Sequence, residues 1–357
     1  MKKLNVCVLF GGISPEHEVS RRSAESVLNH LDTEKYNIFP VGITKKGEWI
    51  LFGGDSYDSL PDGSWEKCEN NRRAVISPVT GQGLVIFGED GSAQSQPLDV
   101  VFPVLHGENG EDGAMQGLLQ LAGIPCVGPH ISASAVSMDK TLTKLVADSA
   151  GIRQAAWILV RAEGLENRLE QVLREVEEKF SYPVFVKPAG TGSSVGVSKA
   201  RDPEALRKAL LNAAKFDRKI LVEEFISGRE VEVAVLGNEN PVASVCGEID
   251  SGADFYDYDS KYLTDTSTAY IPARISDETA EKVRDTAVRV YRAIGCRGLS
   301  RVDFFVTFEG EEVVFNEINT LPGFTSISMY PKLFEASGIP YGELLDHLLT
   351  LAMEAGR

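Results

Sequence analysis

The sequence has no long apolar run, and so no expected membrane span. Its first apolar stretch, "LNVCVLF" at 4–10, follows two lysines and is broken at once by Gly11 and Gly12. That is too short for a signal peptide or for a span of about 20 residues. Cysteine is scarce: five residues, far apart, with no CxxC pair. Neither a thiolate zinc site nor a disulfide framework is expected, and a reducing cytoplasm is the expected location. Positive charge is also short. Lys and Arg total 36 against 52 Asp and Glu, a net charge of −16. This excludes sequence-independent nucleic-acid binding, which needs a basic surface. It leaves room for an anionic small ligand held by a few local lysines. Two nucleotide fingerprints are missing as well. The glycine turn "GGISPEHEVS" lacks G-x-G-x-x-G, and "KPAGTGSSVG" lacks the Gly-Lys-Ser/Thr order of a P-loop.

What remains is an ordinary globular composition, 43% hydrophobic and 25% charged, in 357 residues. That length predicts two or three domains. Up to about residue 127, apolar strands ("LNVCVLF", "YNIFPVGIT", "LDVVFPVLHG") alternate with helical spacings, which predicts an open parallel α/β sheet. From 128 to 226, helices are followed by the strands "YPVFVKP", "VGVSKA" and "KILVEEFI", which predicts a smaller α+β unit. A third unit, 227–357, holds further strands, a helix at 277–294 and a C-terminal helix. The polar loop 250–270 carries four tyrosines, and a loop of that length is more often functional than filler.

Four segments carry chemistry. In "SRVDFFV", Arg301, Asp303 and Phe305 share one strand face. In "VVFNEIN", Glu317 and Asn319 do the same. A hairpin through "TFEGEE" would bring Asp303 beside Glu317 and Asn319. That all-oxygen set suits a hard cation that also contacts phosphates. An Arg301–carboxylate ion-pair network without metal is the alternative. In "VFVKPAGTGSSVGVSKA", a strand delivers Lys187 to a loop of small residues, suited to a flap over a triphosphate or to a plain surface hairpin. In "ILVEEFISGREVEVAV", Glu223, Glu224 and Glu230 flank a strand crossing whose backbone could read a base edge. Glu16, Glu18 and His106 lie near glycine turns, where first-turn carboxylates and loop histidines are commonly structural.

Taken together and in order, "GGISPEHEVS", "HGENGEDGAMQG", "MDK", "FVKPAGTGSSVGVSK", "EEFISGREVEVAVL", "FYDYDSKY", "SRVDFF" and "FNEINTLPGFTSISMYPKL" resemble the D-alanine–D-alanine ligases of the ATP-grasp superfamily. The resemblance covers essentially the whole chain. It implies an ATP-grasp fold of mixed α/β and α+β character behind an N-terminal open parallel α/β domain. It implies ATP-dependent joining of two D-alanines for peptidoglycan precursors, in a cytoplasmic homodimer.

By the same resemblance, Lys140 and Lys187 contact ATP phosphates beneath a flap at Ser193 and Ser194, and Lys261 faces the γ-phosphate. Glu223, Glu224 and Ile226 hold adenine, and Glu230 holds ribose. Asp303, Glu317 and Asn319 hold two Mg²⁺ ions, with Mn²⁺ as a substitute. Glu18 orients the first D-alanine amine near His106 and forms a trio with Ser193 and Tyr262. Arg301 and the Gly323 N–H face the oxyanion, and Ser328 faces the second carboxylate. Met329 is apolar beside the second substrate, and "SKY" keeps Tyr262; both favour D-alanine over the alternatives D-serine and D-lactate.

Overall fold

Strand β1 (Leu4–Gly11) is built from an unbroken apolar run, and its last six residues are buried. The computed structural model describes residues 2–250 and 268–355. β1 runs parallel to β2 (Tyr36–Ile43) on one side and β7 (Val100–Pro103) on the other. Helix α1 (His17–His30) makes the crossover between β1 and β2. The expected parallel sheet is therefore present, but it is only the β7-β1-β2 part of a seven-stranded mixed sheet. β3 (Trp49–Leu51), β4 (Arg72–Ile76), β5 (Leu84–Phe87) and β6 (Ala93–Gln96) extend it antiparallel beyond β2. These strands are short, three to five residues each, and joined by polar turns, so they carry little periodicity.

The second sheet has the order β10-β9-β11-β8 and is antiparallel. It comprises β8 (Trp157–Arg161), β9 (Val184–Pro188), β10 (Ser198–Ala200) and β11 (Lys219–Glu224). Helices α5 (Leu165–Lys179) and α6 (Pro203–Ala213) bury Leu169, Val172, Val176, Leu206 and Leu210 against it. The Asp202 side chain accepts from the Ala205 N–H and starts α6 just ahead of Pro203.

The third sheet has the order β14-β13-β12-β15-β16, again antiparallel. Its strands are β12 (Gly228–Leu236), β13 (Val242–Asp250), β14 (Thr268–Tyr270), β15 (Leu299–Thr307) and β16 (Val313–Asn319). Helix α7 (Asp277–Ile294) packs Val283, Ala287, Val290 and Tyr291 on one face of it. Helices α8 (Met329–Ala336) and α9 (Tyr341–Ala355) fill the space towards β1, joining Leu333, Leu344 and Leu348 to Val6, Val8 and Phe10 in one core.

Helix α2 (Ala114–Ala122) ends at Gly123. Helices α3 (Ile131–Met138) and α4 (Lys140–Ser149) fall by number in the unit 128–226. Their small apolar residues Ala133 and Ala147, with Ile152, instead enter the core of the third sheet. No helix among the described residues is long and apolar enough to cross a membrane.

Gly11 closes β1 with φ of 84°. A Cβ there would lie 2.2 Å from the Ile43 carbonyl oxygen. Gly11→Ala is expected to lower the melting temperature. The left-handed conformation alone costs an L-residue about 1–2 kcal/mol, before the overlap is relieved. A thermal melt followed by circular dichroism checks it, and an unchanged midpoint would contradict this account of the turn.

Candidate active site

A cavity of about 600 Å³ separates the second and third sheets. Strand alternation decides what enters it. In β9, Val184, Val186 and Pro188 are buried in the second sheet's core, so Lys187 points the other way and lines the cavity. Lys140 at the start of α4, the flap residues Ser193 and Ser194, and Glu223, Glu224 and Ile226 also line it. Glu230, Glu317 and Asn319 close it from the third sheet.

The third sheet's register assembles an acidic face. Glu232 pairs with Asp303, Asp303 with Glu317, and Arg301 with Asn319. Paired residues share a side, so Glu230, Glu232, Asp303 and Glu317 all face the same way, with Arg301 among them. Arg301 grips Asp303 with two hydrogen bonds of 2.7 Å. Its Nε also lies 3.2 Å from Glu232. Burial alone would lower the Arg301 pKa, but Asp303 and Glu232 outweigh it and hold the guanidinium well above its ordinary value. Asn319 Nδ2 donates to Asp303 at 2.9 Å, which leaves its Oδ1 as an acceptor. The ion-pair network and the oxygen donors thus coexist.

Among the described residues no three acidic, His or Cys side chains form a metal cluster by themselves. A hard cation would need the amide oxygen and ligand oxygens to complete its shell, as Mg²⁺ commonly does. The donor set Asp303, Glu317 and Asn319 fits that requirement.

Glu223 is buried at the end of β11, between two lysines. Lys187 Nζ is 2.7 Å from one oxygen and Lys144 Nζ 2.9 Å from the other. Burial would raise this carboxyl, but Lys187 and Lys144 together hold it down to about 2. Glu224 turns elsewhere: it accepts from the Ala156 N–H at 2.8 Å and approaches Arg153. Lys140 Nζ donates to the Thr191 carbonyl at 2.7 Å, beneath the flap.

At the junction of the flap with the first sheet, the structure replaces one expectation. Glu18, expected beside Ser193, pairs with Lys45 instead and is half-buried. Ser193 instead donates to Glu16. Glu16 lies in the turn before α1, and Glu18 lies inside the first helical turn on its solvent side. Glycines admit the Glu16 carboxylate: a Cβ on Gly107 would be 2.5 Å from it, and one on Gly192 3.1 Å.

His106 is buried close by. The Leu321 carbonyl can only accept, so Nδ1 donates to it at 3.0 Å. Nε2 faces Ser23 Oγ at 3.3 Å, and Ser23 accepts from the Phe324 N–H. Burial keeps the His106 pKa below its usual value despite Glu16. Glu111, not singled out in the sequence, accepts from the Gly107 N–H at 2.7 Å and the Leu321 N–H at 3.3 Å. Burial, with Glu16 adding to it, pushes its carboxyl up to about 8.

Ser328 caps the turn before α8, accepting from the Thr325 N–H at 2.9 Å. Gly323 sits against it; a Cβ there would be 2.7 Å from Ser328 Oγ. Met329, expected beside a substrate, is buried in the core with Tyr330 and Leu333 and does not line the cavity. Its position at the first turn of α8 directs it over Gly247. Lys261 and Tyr262 lie outside the described residues. Glu16, Glu111 and Lys144 had only weak sequence signals: a glycine-turn neighbour, a glycine-flanked acid, and a lysine one helical turn after Lys140.

Comparison with known proteins agrees along the chain. A family model described as D-ala D-ala ligase N-terminus matches residues 5–129, and one described as D-ala D-ala ligase C-terminus matches 146–350. A D-alanine–D-alanine ligase of Acetivibrio thermocellus is 50% identical, covering 99% of this chain and 96% of its own. One of Clostridium acetobutylicum is 50% identical, covering 99% and 98%. Among solved structures, the VanG D-Ala:D-Ser ligase from Enterococcus faecalis has a TM-score of 0.89 at 38% identity, covering 98% of this chain and 100% of that one. The D-alanine–D-alanine ligase from Coxiella burnetii has a TM-score of 0.83 at 36% identity, covering 99% and 96%.

The Glu111 carboxyl gives a pH signature. Its folded pKa of about 8 lies above the ordinary 4.5, so the folded state binds the proton more tightly. Its contribution is fully present below 4.5 and is lost as pH rises through 8. Glu111→Gln should therefore flatten the fall of melting temperature between pH 5 and about 8. An unchanged slope in the variant would show that Glu111 is ionised in the fold.

Proposed function

We propose, from the premise that this chain belongs to the D-alanine–D-alanine ligase family, that it joins two D-alanine molecules to D-alanyl-D-alanine for peptidoglycan precursors, releasing ADP and phosphate. The observation that carries this reading is a cavity lined together by Lys187, the flap and the oxygen donors Glu317 and Asn319, with Asp303 paired to Glu317 in the neighbouring strand. The family's reaction uses ATP and a divalent cation; two Mg²⁺ ions on those three side chains are the proposed complement. Bound there, the cation would neutralise charge on the transferring phosphoryl group.

A carboxylate does not acylate an amine at neutral pH. In the proposed course, the first D-alanine carboxylate attacks the γ-phosphorus of ATP, and ADP leaves. The amine of the second D-alanine then attacks the acyl carbon, and phosphate departs. Lys140 and Lys187 are the proposed phosphate ligands, with Ser193 and Ser194 above and Lys261 at the γ-phosphate. Glu223, Ile226 and the adjoining backbone are assigned to adenine, with Glu224 bracing that crossing through Ala156, and Glu230 is assigned to ribose.

The amine-orienting role implied for Glu18 belongs in this reading to Glu16, which holds Ser193 and stands near neutral His106. Tyr262 is the proposed third member of that group. Arg301 and the Gly323 N–H would face the oxyanion; such donors are typically worth about 2.7–4 kcal/mol in the transition state. Ser328, held beside Gly323, is assigned to the second carboxylate. We also propose a homodimer in the cytoplasm, and units at 1–127, 128–226 and 227–357. D-Serine or D-lactate as second substrate is the competing reading. The 50% identity to ligases named for two D-alanines supports the dipeptide.

Phosphate release from ATP with D-alanine, and dipeptide detected directly against D-serine and D-lactate competitors, tests the assignment. A product dominated by D-alanyl-D-serine would overturn it. Asp303→Asn and Glu317→Gln should each lower kcat by orders of magnitude and raise the Mg²⁺ requirement in folded protein; wild-type activity at low Mg²⁺ would leave only the ion-pair role. Glu16→Gln should raise KM for the first D-alanine by about tenfold or more, as for loss of a charged hydrogen bond. Glu18→Gln should not, and the reverse result would restore Glu18.

A further inference from the structure

We propose that Lys144, which does not line the cavity, is a positioning residue that keeps Glu223 paired when Lys187 leaves it for the nucleotide. The inference rests on the reading of the cavity as an ATP site. The Glu223 carboxylate is divided between two lysines of different kinds. Lys187 lines the cavity, with 14% of its side chain exposed. Lys144 is sealed off from it, at 3%. The two bonds use different oxygens, so losing one leaves the other intact.

Lys144 is also fixed from behind. Its own carbonyl accepts from Gln154 Nε2 at 2.8 Å, and the same amide donates to Asp148 at 2.6 Å. Lys140 stands one helical turn earlier on α4 and lines the cavity. A single helix therefore carries one lysine to the ligand and a second to the carboxylate behind it.

The physical need follows from burial. A lone carboxylate in this position would be a buried charge without a partner, which is strongly unfavourable. If Lys187 were its only cation, every movement of Lys187 towards a phosphate would strand Glu223. Lys187 would then stay on the carboxylate, and the form able to take the triphosphate would be a small fraction of the population. Apparent affinity falls by that fraction. With Lys144 in place, Glu223 remains an ion pair throughout. Its Oε2 becomes free to accept from a ligand N–H as Lys187 departs.

The test is steady-state kinetics and calorimetric binding of a non-hydrolysable ATP analogue with Mg²⁺. Lys144→Met should raise KM for ATP and Kd for the analogue by about tenfold or more, with KM for D-alanine within about twofold. Lys144→Arg, which keeps the charge, should restore most of the ATP affinity. In a Glu223→Gln background, Lys144→Met should add little, because the charge it protects is gone.

An equal penalty in both backgrounds would overturn the proposal. So would parallel rises in both KM values, or a loss of kcat alone. If Lys144→Met does not fold, Lys144→Gln carries the same comparison. Lys187→Met separates the two levels: if it leaves the ATP KM unchanged, the cavity reading itself fails. If it abolishes saturation by ATP while Lys144→Met changes nothing, only the present inference fails.

Discussion

A carboxylate that stays ionised out of water must keep a cation beside it, and the arrangement of this cavity depends on that constraint. Glu223 has two lysines, one on each oxygen. Asp303 has both arms of the Arg301 guanidinium. The third sheet then adds Glu230, Glu232 and Glu317 to the same face as Asp303. Lysines and arginines, Arg229 and Arg274 among them, thus border a surface with more carboxylates than cations. This reconciles the net charge of −16 with an anionic ligand. The excess of oxygens on one wall would attract a divalent cation, and that cation with the lysines opposite would attract a triphosphate. At such short range, local pairs outweigh the screened charge of the remaining surface.

Hydrogen bonds, rather than ion pairs, shape the junction between the sheets. Side chains here bond to partners on other elements. Ser193, from the flap of the second sheet, reaches Glu16 beside the first. His106, from the loop after β7, holds the Leu321 carbonyl beyond β16, and Ser23 of α1 receives the Phe324 N–H. Glu111 clamps both sides with two accepted hydrogen bonds. The proposed oxyanion donor Gly323 lies inside the segment so clamped. Its backbone is held in place by Ser23 of α1 and by His106 and Glu111 of the loop after β7.

Much of this was legible because strands repeat every two residues. The pattern Arg301, Asp303 and Phe305 against Glu317 and Asn319 predicts the hairpin, and the observed register pairs Asp303 with Glu317. β1, β2 and β7 were legible as apolar runs. Strands β3 to β6 were not, since three to five residues between polar turns carry little periodicity. Glu16 and Glu18 could not be told apart because two positions at a helix start point in directions that depend on where the helix begins. One residue of helix turns a side chain by about 100°. Met329 faced the same ambiguity at the start of α8. Lys144 was hidden for another reason: a buried lysine has the same sequence signature as a solvated one, and only the carboxylate at the end of β11 distinguishes them.

The flap shows how a costly conformation is tolerated. Ser193 and Ser194 both have positive φ, 47° and 58°. For L-residues this costs roughly 1–2 kcal/mol each. The Ser193 hydroxyl offsets part of that by donating to a carboxylate, a stronger bond than a neutral one. Gly192 makes the approach feasible, because a Cβ there would stand 3.1 Å from Glu16. The flap is therefore held in its strained form by Glu16 together with its own turn bonds, such as Thr191 Oγ1 to the Val195 carbonyl, and by Lys140 beneath it. A ligand that engages Glu16 competes for that bond, while a ligand that fills the cavity beneath supports the flap from below. In the proposed assignment, substrate and nucleotide would therefore act on this one loop through different atoms.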